Sequence, residues 1–161
     1  FPLLCPSSLF CMCFTKLSPT TSPSLTGTAL PIILYPATTL SYSKEKVSGN
    51  PGFDFHTISE KRFLIFGEAK FSLSDTPRAI ALDQIGNFID LKKDYAELNS
   101  LRTFIDEETH SNIVAGRKGY AAAFSFNAKN IDTIFKNALE SEIIEEIAKH
   151  NELFLIAIEV C

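Results

Sequence analysis

The chain has 161 residues, of which 45% are hydrophobic and 21% are charged, and its net charge at neutral pH is −4. This length and composition are those of one globular domain with enough apolar residues for a core. The acidic balance excludes a general electrostatic attraction to nucleic acid, and no apolar run reaches the roughly 18 residues of a membrane-spanning helix.

The amino-terminal segment 1–28 predicts irregular or disordered chain, because it is rich in Ser, Thr and Pro and contains no acidic residue. Residues 29–161 predict the folded domain. Within this domain, residues 29–35 and 38–43 favour two short strands, and Pro31 keeps the first of them near a sheet edge.

A turn at residues 44–52, rich in Gly, Asn and Pro, separates these strands from a predicted hairpin. Residues 53–58 favour a strand, and residues 62–71 favour the next strand, after a tight turn at 59–61. Four consecutive apolar residues in the second strand indicate burial on both of its faces, as in a central strand.

The second half of the chain predicts helices and two further strands, which together indicate a mixed α/β (α+β) sheet flanked by helices. Thr76 and Pro77 are typical of a helix start, and this helix should run to about Ala96. The polar residues 97–118 favour no element. The remaining expectations are a strand at 119–126, a helix at 130–149 with a break near Ser141, and a closing strand at 152–160.

The charge of the chain is unevenly distributed. Residues 1–72 carry six Lys and Arg against four Asp and Glu, whereas residues 73–161 carry nine against fifteen. A polyanion would therefore meet the amino-terminal part more readily. The four cysteines include no Cys-x-x-Cys pair and no Cys/His cluster with zinc spacing, so we expect free thiols in a reducing cytoplasm.

Charged side chains end the apolar strand at 62–71. Side chains alternate faces along a strand, so Glu68 and Lys70 point the same way, about 7 Å apart along the strand. If the preceding turn centres on Glu60, Asp54 lies opposite Phe66 and therefore beside Glu68 on the same face. The sequence thus predicts that two carboxylates and one amine converge.

His56 alternates onto the Asp54 face, one step closer to the turn. For this histidine, a structural role and a supporting role beside the carboxylates or a phosphate both stay open.

Two carboxylates that meet on a sheet either share a proton or bind a hard cation. Magnesium prefers oxygen ligands and keeps several waters, and a neighbouring lysine can orient a water or stabilise charge on a phosphate. Asp54, Glu68 and Lys70 therefore suffice for phosphodiester hydrolysis. The alternative is a solvated ion pair at the end of a strand.

On the first predicted helix, Ile80, Gln84 and Phe88 are four residues apart and share a stripe. If this stripe packs on the sheet, the Gln84 amide needs a buried partner. Glu68, Lys70 or a bound strand would supply it; the alternative is an ordinary helix residue satisfied by water or a neighbour.

Asp54 followed by Glu68-Ala69-Lys70 on an apolar strand resembles the PD-(D/E)xK nuclease superfamily. The resemblance implies that Asp54, Glu68 and the backbone carbonyl of Ala69 bind Mg²⁺, with Mn²⁺ as a substitute. It also implies that Lys70 assists the hydrolytic water. Gln84 matches a glutamine that many members carry on the helix after the motif strand.

This resemblance implies a restriction-endonuclease-like fold, and it covers residues 50 to about 95 best. Many members carry a further acidic residue on a preceding helix. This chain has no acidic residue before Glu45, so we expect the domain to be incomplete at its amino terminus. More narrowly, GFDFH followed by GEAKF is similar to the HamA-type nuclease subunit of Hachiman antiphage systems. That similarity implies DNA cleavage in antiphage defence under the control of a helicase partner, with RNA as a second candidate substrate.

Two other classes of function stay open at this point. One is a non-catalytic nucleic-acid-binding or partner-docking module on the same fold, and the other is a plain α/β interaction domain without a metal. Binding of Mg²⁺ by the two carboxylates separates the nuclease from both.

Overall fold

The computed structural model describes residues 12–17, 52–72, 76–126 and 131–159. These residues form a mixed α/β structure, in which an open mixed sheet is flanked by helices. The strands are β1 (Met12–Leu17), β2 (Phe55–Ile58), β3 (Leu64–Lys70), β4 (Lys118–Phe126) and β5 (Glu152–Glu159). The helices are α1 (Pro77–Asp90), α2 (Lys93–Leu101), α3 (Glu107–Val114), α4 (Ile131–Leu139) and α5 (Glu142–Ile147).

The strands lie in the order β1-β5-β4-β3-β2. The three middle strands β5, β4 and β3 are parallel to one another, whereas the edge strand β2 is antiparallel to β3 and the edge strand β1 is antiparallel to β5. Helices occur in each connection between parallel strands, as crossovers of this kind require. The carboxyl ends of β3, β4 and β5 therefore meet at one edge of the sheet.

The strands predicted around 53–58, 62–71, 119–126 and 152–160 are confirmed as β2, β3, β4 and β5, with ends that differ by one or two residues. The helical stretch with a break near Ser141 is confirmed as α4 and α5, and Ser141 is the N-cap residue of α5. The expected strands at 29–35 and 38–43 lie outside the described residues.

A strand forms inside the amino-terminal segment for which the composition predicts irregular chain. β1 pairs with β5 over six residues, from Met12 opposite Ile158 to Leu17 opposite Leu153. The unpaired backbone groups along the edge of β5 offer hydrogen bonds to any extended segment. Such pairing depends on a distant partner and is not signalled by local composition.

The single helix expected from Thr76 to Ala96 is wrong, because the chain breaks between α1 and α2. Lys92 adopts a left-handed conformation with φ of 54°. This conformation costs roughly 1–2 kcal/mol for a residue with a Cβ. The break turns α2 towards the sheet, where its buried Asp94 accepts hydrogen bonds from β4.

The main core lies between α1 and one face of the sheet, which we call the helix-covered face. α1 buries Ala81, Leu82 and Ile85 against this face. Of the stripe of Ile80, Gln84 and Phe88, Phe88 packs against this core, whereas Ile80 is 42% exposed. The strands contribute to this core the buried residues Leu64, Phe66, Tyr120, Ala122, Phe124, Phe126, Leu153, Leu155 and Ala157.

On the opposite face of the sheet, the packing of Phe55 explains why a glycine occupies position 67, next to Glu68. Gly67 pairs with Phe55 across the β2–β3 hairpin. A Cβ added at Gly67 would overlap the Phe55 ring, which therefore takes the place of a side chain on β3. The ring also packs against the small core of Ile65, Ala121, Ala123 and Ile156 on this face.

Gly67→Ala is expected to lower the free energy of unfolding by about 1–3 kcal/mol, because the new methyl group displaces the Phe55 ring. The loss should be smaller when Gly67→Ala is introduced into a Phe55→Ala background, where the space is open. Urea unfolding of the four proteins of this double-mutant cycle measures both values. Equal losses in both backgrounds would contradict the steric explanation.

Candidate functional site

The β2–β3 hairpin has a register that differs from the expected one by two residues. Phe55 pairs with Gly67, and His56 rather than Asp54 pairs with Phe66. The Asp54 N–H donates at 2.9 Å to the carbonyl of Gly67, the residue that pairs with Phe55, so Asp54 is bonded to β3 just before the first residue of β2. The expected face is retained because the shift is even.

The turn itself accounts for the different register. The Ser59 N–H donates to the Phe63 carbonyl at 2.9 Å, which leaves a three-residue loop from Glu60 to Arg62. Arg62 adopts a left-handed conformation with φ of 59°. Loops of three residues commonly end in a left-handed residue, which is usually glycine. An arginine at this position gave no sequence signal for such a loop.

Two carboxylates, one amine and one backbone N–H meet at the carboxyl end of β3. The Lys70 Nζ donates to the Glu68 Oε1 at 2.5 Å, and the Ala69 N–H donates to the Asp54 Oδ2 at 3.0 Å. Glu68 is fully buried, whereas the Lys70 side chain is 25% exposed. The convergence of Asp54, Glu68 and Lys70 on one face is therefore present in the structure.

The second oxygen of Glu68 has an unusual environment. Its Oε2 is buried and receives no hydrogen bond from a donor among the described residues. Burial, together with a hydrogen bond to the neighbouring Asp54 carboxyl, raises the pKa of Glu68 to about 7, although Lys70 opposes the shift. A hydrogen bond between two carboxyls requires a proton on one of them. A proton or a cation is therefore needed between Glu68 and Asp54.

The residues present fit a hard divalent cation. Asp54 and Glu68 supply carboxylate oxygens. Lys70 donates to the Glu68 Oε1, whereas the Glu68 Oε2 receives no hydrogen bond among the described residues. The N–H and C=O of a strand residue point to the same side, so the Ala69 carbonyl points towards β2, as its N–H does. β2 begins only at Phe55, so the carbonyl lies beyond the end of that strand.

No group of three or more His, Cys, Asp and Glu side chains is arranged for a metal ion in the part of the chain that the structure describes. The protein would thus provide two carboxylates and one carbonyl, with waters completing the coordination. Magnesium is commonly held in this way, through one or two carboxylates and several retained waters.

The structure does not bring Gln84 to this group. Its side chain lies half-buried on α1 and makes no hydrogen bond to Glu68 or Lys70 within the described residues. Of the partners considered for the Gln84 amide, Glu68 and Lys70 therefore do not bond to it among the described residues, and the fully buried side of α1 includes Leu82 and Ile85. Contact of Gln84 with a bound strand stays a prediction.

His56 also turns away from the carboxylate pair. It is 6% exposed, and its ring meets the Phe66 ring edge-on with centroids 5.3 Å apart. Its Nε2 lies 2.7 Å from the Glu97 Oε2 on α2. The histidine therefore connects β2 to a helix, and direct contact with a phosphate at the carboxylate pair does not fit this position.

Sequence reasoning missed Glu97 and a buried polar cluster near the start of β4. Asp94 Oδ2 accepts hydrogen bonds from the Lys118 Nζ and, at 2.9 Å, from the Tyr120 hydroxyl. The Lys118 Nζ also lies 4.0 Å from the centre of the Tyr95 ring. The only sequence signal is that Asp94 and Glu97 are three residues apart, a spacing that places both on one face of a helix.

No family model matches the chain, and no curated protein or solved structure matches it. Among the helices of the described ranges, none has the length and apolar character needed to cross a membrane. The site must therefore be interpreted from its own residues.

Glu68→Gln is expected to stabilise the metal-free fold at alkaline pH. The pKa of Glu68 is raised from 4.5 to about 7, so the folded state retains a proton that the unfolded state releases between these values. Wild-type stability should consequently fall as pH rises through this window and level off above it. At pH 8 we expect the variant to be more stable by roughly 3 kcal/mol.

Urea unfolding in EDTA from pH 4.5 to pH 8 measures this difference. The gap between wild type and Glu68→Gln should shrink towards acidic pH, where the wild-type carboxyl is protonated. A gap that does not vary with pH would show that Glu68 titrates normally.

Proposed function

We propose that the chain is a metal-dependent nuclease that hydrolyses phosphodiester bonds of DNA on a restriction-endonuclease-like fold. The observation that carries this proposal is the fully buried Glu68 beside Asp54, with Lys70 bonded to it at 2.5 Å. Burying a carboxyl next to another carboxyl costs free energy, and a divalent cation would offset that cost. The PD-(D/E)xK resemblance assigns these residues the same roles.

The position of the pair in the sheet supports the proposal. Glu68 and Lys70 lie at the carboxyl end of β3, where parallel strands of open α/β sheets generally place their ligands. The partly exposed Lys70 makes this end accessible to a substrate, whereas the Glu68 carboxyl is shielded from water. A phosphate can therefore approach a carboxylate pair whose charge is poorly solvated.

Asp54, Glu68 and the Ala69 carbonyl would hold Mg²⁺ or Mn²⁺. When bound, the cation supplies Lewis-acid stabilisation of the phosphate and lowers the pKa of a water. Lys70 would orient the attacking water and stabilise the negative charge that develops on the phosphate oxygens. The water oxygen forms the new bond to phosphorus as the bond to the leaving sugar oxygen breaks.

We further propose a helicase partner and a role in antiphage defence, on the likeness of GFDFH and GEAKF to HamA-type subunits. The charge of the chain supports a partner, since residues 73–161 carry fifteen acidic against nine basic residues and would bind free DNA poorly. We also propose a cytoplasmic location, because the cysteines include no Cys-x-x-Cys pair and are expected to be free thiols of a reducing compartment. RNA is the alternative substrate.

A nucleic-acid-binding or partner-docking module is the second candidate. It is favoured by the small number of ligands, because only two acidic side chains gather at the site among the described residues. It is also favoured by the Lys70–Glu68 bond, which occupies one carboxylate oxygen already. Such a module would bind its partner equally well with and without Mg²⁺.

Lys70→Ala is expected to lower Mg²⁺-dependent cleavage of plasmid and linear DNA by about 100-fold or more, since one electrostatic donor at a reaction centre contributes that much. Lys149→Ala is the matched control. Lys149 donates to Glu146 at 2.5 Å in a comparable pair, but both side chains are exposed on the surface. Its removal should leave cleavage unchanged.

Cleavage assays should be run with EDTA as a blank and on samples shown to be folded by circular dichroism. Folded wild type that binds Mg²⁺ by calorimetry but does not cut would indicate that chemistry requires the partner. Folded wild type that neither binds Mg²⁺ nor cuts would reject the nuclease in favour of the module.

A further inference from the structure

Glu97 joins two points of the segment that carries Asp54. Its Oε1 accepts the Phe53 N–H at 2.9 Å, and its Oε2 lies 2.7 Å from the His56 Nε2. Phe53 and His56 stand on either side of Asp54 in the chain. One carboxylate on α2 therefore holds the chain on both sides of Asp54, the proposed metal ligand.

The surroundings of Glu97 are built to keep these bonds. The Glu97 side chain is 17% exposed and the His56 side chain 5%, so water competes poorly for either bond. A Cβ on Gly52 would overlap the Glu97 Oε1, so the carboxylate can reach the Phe53 N–H only past a glycine. The Phe53 ring packs on Phe66 and closes the other side.

The position of the Asp54 carboxylate depends on the backbone around it. β2 begins at Phe55, so Asp54 lies outside the strand. The Asp54 N–H bonds to the Gly67 carbonyl, and the Asp54 Oδ2 reaches the Ala69 N–H only if this backbone is correctly placed. Displacement of Phe53 would therefore move the carboxylate away from Glu68.

We propose that Glu97 is a positioning residue that holds Asp54 against Glu68 through hydrogen bonds to Phe53 and His56. This inference rests on the proposed function, in which Asp54 and Glu68 share a divalent cation. Residues that orient metal ligands without touching the metal typically change metal affinity by 10–100-fold when they are replaced. Glu97 stands in this relation to Asp54.

Two substitutions at the same position separate hydrogen bonding from charge. Glu97→Ala removes both acceptors, whereas Glu97→Gln removes the same negative charge but keeps an oxygen for the Phe53 N–H and a second polar atom for His56. A purely electrostatic role of Glu97 would make the two variants behave alike. A positioning role makes only Glu97→Ala defective.

The first readout needs no metal. Ala69 is exposed and its N–H donates to the Asp54 Oδ2, so the hydrogen exchange of this amide reports the position of the Asp54 carboxylate. In Glu97→Ala we expect the amides of Phe53 and Ala69 to exchange about 10-fold faster by NMR, in keeping with the loss of one hydrogen bond. The amide of Ala122, in the middle of β4, is the internal reference and should not change.

The second readout is Mn²⁺ affinity by calorimetry. Glu97→Ala should bind Mn²⁺ about 10–100-fold more weakly than wild type. Glu97→Gln should stay close to wild type, and Asp54→Asn should lose binding. Circular dichroism must show that each variant is folded.

The outcomes distinguish this inference from the proposed function. Wild type that binds Mn²⁺ through Asp54, together with unchanged affinity and unchanged Ala69 exchange in Glu97→Ala, would overturn the positioning role and leave the nuclease intact. Equal defects in Glu97→Ala and Glu97→Gln would also overturn it. Wild type that binds no Mn²⁺ would reject the proposed function and, with it, the role of Glu97 in positioning a metal ligand.

Discussion

The buried ionisable groups on the helix-covered face need charged or polar partners, most of them from other parts of the chain, and much of the structure follows from this requirement. Glu68 on β3 has Asp54 and Lys70, His56 on β2 has Glu97 of α2, and Lys118 on β4 has Asp94 of α2. An unpartnered charge at any of these positions would cost several kcal/mol. The hydrophobic core and the polar contacts are thus built on the same side of the sheet.

The break between α1 and α2 is best understood through these contacts. A continuous helix would have avoided the left-handed Lys92. The separate direction of α2 allows Asp94 and Glu97, on one helix, to reach β4 and β2 respectively. Several buried hydrogen bonds to charged groups, each contributing about 1.5–3 kcal/mol, outweigh the cost of one unfavourable backbone conformation.

The sequence predicts what depends on near neighbours. The alternation in β3 placed Glu68 and Lys70 on one face, and the apolar run indicated a central strand. The two-residue error in register came from Arg62, since no glycine or asparagine marks its left-handed conformation. Likewise, no glycine or proline marks the helix break at Lys92.

The supporting residues were beyond such reasoning. Glu97 and His56 are 41 residues apart, and Asp94 and Tyr120 are 26 apart. No local period connects residues at these separations, so only the folded chain reveals which acidic residues of a polar helix turn inward. The candidate metal ligands were therefore predictable, whereas the residues that hold them in place were not.

The loop from Glu60 to Arg62 has a consequence for how this site could change during evolution. Strand side chains alternate with a period of two, so loss or gain of one residue in the loop would slip the hairpin and turn Asp54 to the opposite face. Glu68 would then stand alone among apolar side chains. Substitutions in this exposed loop are tolerable for the chemistry, whereas a one-residue change in its length is not. Insertions or deletions of two residues are the smallest length changes that keep Asp54 on its face of the sheet.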